Sequence, residues 1–163
     1  MRRTFAAAIG AVSAAAVLTG TGLAAASATP AATGTEHFQT LTTSATAKTT
    51  GVIAIGLFTA GGTSFEGRTT ATFKFPGGTL QVRHSRGTGN HTFNPRTCLL
   101  RLNLHGTYTV GHGTGKYAGI SGHGQYQLSI LAIGAKVHSK CSQSRPPTSF
   151  QKIINASGPV SLP

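Results

Sequence analysis

Between Cys98 and Cys141, large apolar residues alternate with polar ones in two runs on either side of a glycine-rich stretch. In the first run Cys98, Leu100, Leu102, Leu104, Gly106, Tyr108 and Val110 share one parity. Arg101, Asn103, His105, Thr107 and Thr109 share the other, and only Leu99 breaks the pattern. In the second run Gly124, Tyr126, Leu128, Ile130 and Ala132 alternate with His123, Gln125, Gln127 and Ser129. A period of two sustained over this length predicts strands with one dry and one wet face. The turn-rich stretch from Gly111 to Gly124 makes an antiparallel hairpin the simplest pairing. A register that sets Tyr108 beside Tyr126 places the start of the first arm opposite the region of Lys136, so the two cysteines meet at the open end.

The same alternation predicts further strands. Glu36 to about Lys48 carries Phe38 and Leu41, and Val52 to Phe58 is an apolar run stopped by Gly61-Gly62. Arg68 to Phe75 alternates again, Pro76-Gly77-Gly78 is a turn, and Thr79 to Ser85 returns as the second arm of a hairpin. Arg86 to Arg96 and Ser142 to Pro147 read as loops, and Phe150 to Ala156 as a last strand before the Gly158-Pro159 stop. Six to eight strands on short turns, with no helical periodicity after residue 28, predict an all-β fold, a barrel or a sandwich. Two long central arms with Gly106 and Gly124 facing inward, where a sheet bends sharply, favour a closed antiparallel up-and-down β-barrel of about eight strands. Val52 to Phe58 and Ile130 to Ile133 are apolar on both parities. An outer face of that kind predicts a homo-oligomer.

The start of the chain changes the compartment. Met1-Arg2-Arg3, the apolar run from Phe5 to about Leu18 and the Ala26-Ser27-Ala28 cleavage signature predict a secretory signal peptide over 1–28. The run falls short of the ~20 residues of a membrane span, so no anchor is expected after cleavage. Residues 29–35 then form a flexible N-terminal segment and 36–163 one β-barrel domain, secreted and, with its basic charge, suited to the cell wall. In an oxidising compartment Cys98 and Cys141, the only cysteines, predict one structural disulfide.

The formal charge of +12 becomes +10 without Arg2 and Arg3; there is no Asp, and Glu36 and Glu66 are the only acidic side chains. Arg83, Arg86, Arg96 and Arg101 lie around the first cysteine, and Lys136, Lys140 and Arg145 around the second. The bridge is therefore expected to gather a basic rim that attracts anionic envelope polymers. A specific nucleic-acid partner is not expected, because there is no Trp and the Tyr and Phe residues are not interleaved with the charges.

The string Gly113-Thr114-Gly115-Lys116-Tyr117-Ala118-Gly119, with Thr107-Tyr108 before it and Gly122-His123-Gly124-Gln125-Tyr126 after it, resembles the hairpin signature of the allene oxide cyclase and dirigent β-barrel superfamily. With Phe75-Pro76-Gly77-Gly78-Thr79 and Cys141-Ser142-Gln143-Ser144-Arg145-Pro146-Pro147, the chain is similar to small secreted bacterial proteins grouped with that barrel. The resemblance implies an eight-stranded barrel with an apolar interior, a trimer, and no cofactor. Dirigent members use acidic cavity residues, and this chain has no Asp to take such a role. Glu66 is the only residue to which a cyclase carboxylate is carried, as a weak catalytic candidate.

Other motifs fail on context. Gly113-Thr114-Gly115-Lys116-Tyr117-Ala118 fits the dinucleotide fingerprint in letters, but a strand rather than a helix follows. The seven histidines show no H-E-x-x-H or tight H-x-H spacing, so no metal is expected. Gly119-Ile120-Ser121-Gly122-His123 narrowly misses the G-x-S-x-G elbow, and no free acid completes a triad. Three function classes follow. The first is a barrel holding a small apolar or amphipathic ligand, with Tyr108 and Tyr126 lining its interior. The second is a cofactor-free isomerase or coupling guide, and the third a cationic envelope-associated protein.

Overall fold

The computed structural model describes residues 31–163, so the leader expected over 1–28 lies outside the described residues. Eleven strands follow in order: β1 Ala32–Thr42, β2 Thr50–Ile55, β3 Ala60–Glu66, β4 Thr70–Phe75, β5 Gly78–His84 and β6 Thr88–Asn94 come first. They are followed by β7 Leu99–Gly111, β8 Ser121–Ile133, β9 Lys136–Val137, β10 Lys140–Cys141 and β11 Ser149–Leu162. Eight of them close a barrel, in the order β1-β2-β3-β4-β5-β7-β8-β11 and back to β1, every pairing antiparallel. β9 and β10 form a separate small hairpin, and Cys98–Cys141 is the disulfide, closing a separation of 43 residues.

The central hairpin forms with a register two residues from the one that sets the tyrosines side by side. Tyr108 stands opposite Gly124, and Tyr126 opposite Gly106. The reason is space. A Cβ on Gly124 would meet Cε1 of Tyr108 at 2.8 Å, and a Cβ on Gly106 would meet Cε1 of Tyr126 at 2.6 Å. Each glycine leaves room for the ring of the other strand, where the sequence suggested a bend alone.

Several expected boundaries move. β1 starts at Ala32, so residues 32–35 of the segment expected to be flexible pair with Leu162 to Pro159. β3 occupies the Gly61-Gly62 stretch read as a stop. Gly62 is required there, since a Cβ would lie 2.1 Å from the Lys74 carbonyl oxygen. β11 runs through Pro159 to Leu162, because its ladder to β8 passes from Ser157 directly to Val160 and asks no amide of the proline. The Arg86 to Arg96 loop is in fact β6, whose seven residues are all exposed and so show no burial alternation.

β5 and β6 pair in turn with the two halves of β7, and one extra residue in the link between them shifts the register. This bulge reverses the parity. On β5 the even positions face inward, whereas on β6 Gly89, His91 and Phe93 share a face with Leu104, Leu102 and Leu100. The sheet β6-β7-β8-β11 therefore extends beyond the barrel mouth, with its dry face continuous with the barrel interior.

Candidate functional site

Inside the barrel the dry faces build an aromatic core. Phe38, Phe73, Phe75, Tyr108 and Tyr117 are buried, and their rings, with that of Phe58, contact one another at centroid distances of 5.0 to 6.3 Å. This cluster, with Leu80 and Ile120, fills one end. The 3-10 turn Gly115–Tyr117 closes over it, held by the amide of Lys116 donating to Gly77 O at 2.9 Å.

Towards the other end a cavity of about 110 Å³ remains, walled by Phe73, Tyr108, Tyr126, His84, Leu128 and Ile154, with Thr40 and Glu66 among its polar lining. Both predicted lining tyrosines are here. The Tyr126 hydroxyl donates to Ser85 O at 2.9 Å. The Tyr108 hydroxyl is buried without a partner, and burial, with the charge of Glu36 in second place, pushes it up to about 12. His84 is packed edge-on to Tyr126, and its Nδ1 lies 3.1 Å from Ser85 O.

Glu66 borders the cavity but is not a free carboxylate. It is ion-paired with Lys152 and accepts a hydrogen bond from the Thr50 hydroxyl at 3.0 Å. Lys152 was not among the expected site residues, although the parity of Phe150-Gln151-Lys152-Ile153-Ile154 already sets it on the dry face. Both side chains are about one-fifth exposed, at the mouth of the barrel.

Glu36 is the other residue that sequence reasoning passed over, and it is fully buried. It shares the inward parity of Phe38, which was the available signal. Its Oε2 accepts from the Phe58 amide at 3.1 Å, and its Oε1 has no partner. Burial raises its carboxyl above the ordinary value of 4.5, against the opposing pull of the Phe58 and Leu57 amides. Burial, followed by the charge of Glu36, also raises Tyr117.

Beyond the mouth the extended sheet forms the floor of a trough of about 550 Å³. Leu100, Ile130, Ala132, Phe93 and Phe150 supply its apolar surface, and the Cys98–Cys141 bridge with Gln143, Arg145 and Pro147 its far wall. The bridge fastens the β9–β10 hairpin to the start of β7. Lys136 Nζ adds a hydrogen bond to Arg96 O at 2.7 Å.

Of the seven cations expected on one rim, the fold places four around this end. Arg96 is in the β6–β7 turn, Lys136 and Lys140 are on the small hairpin, and Arg145 is in the trough wall. Arg86, in the β5–β6 link, lies at the opposite end of β6, next to Ser85, whose amide donates to Thr107 O. Arg83 and Arg101 sit instead on the outward faces of β5 and β7, opposite Thr109 and Leu131 respectively. Among the described residues no three His, Cys, Asp or Glu side chains gather as a metal site would require, and no helix is long and apolar enough to cross a membrane. No family, no curated protein and no solved structure matches the chain.

Proposed function

We propose that the protein is an exported binding barrel that holds a small apolar or amphipathic molecule at its open end. The apolar part of the ligand lies in the trough and reaches towards the cavity walled by Tyr108 and Tyr126, and its polar end meets Lys152, Glu66 or Arg145. The observation that carries this reading is the trough floor. Leu100, Ile130 and Phe150 are only half-buried although they lie on the dry face of the sheet. A continuous apolar surface of this kind is costly in water, and covering it gains about 25 cal/mol per Å². The trough volume of about 550 Å³ also lies within the ~300–1,000 Å³ range of small-molecule sites. The 110 Å³ of the barrel interior alone does not reach it.

The test is fluorescence titration of the purified protein with a neutral naphthylamine probe, beside Ile130→Trp, which fills the trough. Saturable micromolar binding that Ile130→Trp weakens at least tenfold is expected, a change of about 1.4 kcal/mol. Absence of saturation, or equal binding by the variant, sinks the proposal. Native mass spectrometry of protein from its own source identifies the natural occupant.

The cationic, envelope-associated reading is favoured by one separate observation. With Glu36 buried and Glu66 tied to Lys152, no acidic side chain offsets the outward Lys and Arg. Binding to anionic wall polymer that falls steeply between about 0.02 and 0.15 M salt is its signature. Binding unaffected by salt excludes it.

A further inference from the structure

The outside of the barrel is divided by charge. On five adjacent strands, β3-β2-β1-β11-β8, no outward-facing residue is Lys, Arg or Glu. The outward charges of the barrel wall, Lys74, Arg83 and Arg101, all belong to β4, β5 and β7. The contrast is sharp for this composition. Of the 14 Lys and Arg, Arg2 and Arg3 precede the described residues, and of the other 12 only Lys152 has a carboxylate partner.

The charge-free wall is also where large apolar side chains face water. Leu41, Ile53, Ile55, Phe65, Leu131 and Ile133 are 41 to 52% exposed and all lie on it. Ile53 and Ile55 border a shallow hollow of about 660 Å³ that continues across β1 and β11 to Gln125 and Gln127. Gln39 and Asn155 already hydrogen-bond to each other across it at 2.7 Å. β1, β8 and β11 have 11, 13 and 14 residues. With five strands about 4.8 Å apart and ~3.3 Å per residue, the wall unrolled covers on the order of 800 Å², of which one seated copy meets a part because the five strands wrap more than half of the barrel.

We infer that this wall is the contact between copies of the chain. A second copy is the occupant that the charge pattern selects. Copies carrying about ten uncompensated cations each repel wherever their charged faces meet, and wall-to-wall contact is the arrangement that buries apolar surface without opposing like charges. An anionic partner is drawn to β4, β5 and β7 instead. The contact is independent of the trough and stands whether or not a ligand binds there.

Light scattering on the purified protein at about 50 μM, a concentration that populates any micromolar assembly, reads the proposal directly. A mass that is a multiple of the monomer is expected, and it persists when salt is raised because screening reduces repulsion between copies. Ile53→Lys and, on a different strand, Gln127→Lys bring charge into the wall and weaken assembly at least tenfold. Gln81→Lys, exposed on β5 between the cationic strands β4 and β7, leaves the mass unchanged. Both wall positions are exposed, and circular dichroism checks folding; if Ile53→Lys misfolds, Gln127→Lys decides. A monomeric wild type, or equal dissociation by Gln127→Lys and Gln81→Lys, overturns the inference.

Discussion

Replacing both cysteines, Cys98→Ala with Cys141→Ala, isolates what the bridge contributes. The bond closes a separation of 43 residues. In the chain-entropy account this removes about 13 cal/mol/K from the unfolded chain, or about 4 kcal/mol at 25 °C. At ~2.1 cal/mol/K per residue, residues 31–163 unfold with about 0.28 kcal/mol/K, so the double variant should melt about 14 °C lower. The barrel itself does not depend on the bridge for its pairing, because β7 is bonded to β8 from Leu99 to Val110 and β8 to β11 from Ile133 onward. Far-UV circular dichroism should therefore be unchanged well below the transition. The denaturant m-value should rise, since an uncross-linked unfolded chain exposes more surface. Probe binding should also weaken, because Cys98, Cys141 and Ser142 form part of the trough wall. Calorimetry and urea titration of the two proteins read these quantities. A fall in Tm below about 3 °C with an unchanged m-value would refute the reasoning, since the unfolded state would then already be as restricted without the bond.

Two further perturbations test the interior. Glu36 has a folded-state pKa above its ordinary 4.5. Its contribution is therefore fully present below that pH and is lost as pH rises through the folded value, with a slope of up to ~1.4 kcal/mol per pH unit. Glu36→Gln should flatten stability between pH 5 and the folded pKa and make the protein more stable than wild type at pH 8; equal pH slopes in urea titrations would count against this (about 1.4 kcal/mol per unit being the limit). Gly106→Ala should cost about 1–3 kcal/mol, because the atoms it strikes belong to the side chains of Tyr126 and Ser85. Gly124→Ala should cost more, since its Cβ would also lie 2.2 Å from the Ser157 carbonyl oxygen, which no side-chain rotation relieves. Equal falls in Tm would mean that the Ser157 carbonyl gives way and adds nothing to the ring overlap that both positions share.

Much of the fold is legible in the chain because a strand writes its burial as parity. The alternation at Leu100 to Val110 and at Gly124 to Ala132 determines the central hairpin, and the two cysteines in their context determine the bridge. The same parity already sets Glu36 beside Phe38 and Lys152 between Phe150 and Ile154 on dry faces. β6 was not legible, because Thr88 to Asn94 is exposed on both faces and leaves no alternation to read.

The tertiary structure alone decided three things. The register placed each tyrosine over a glycine rather than over the other tyrosine, a matter of ring volume that parity does not encode. The bulge between β5 and β6 turned Phe93 onto the apolar floor and so made a trough at the barrel mouth. Closure of the sheet then placed β3, β2, β1, β11 and β8 side by side, and only that juxtaposition turns scattered neutral residues into one uncharged wall. A strand's period specifies which side chains share a face; which faces become neighbours is fixed by long-range pairing between strands far apart in the chain.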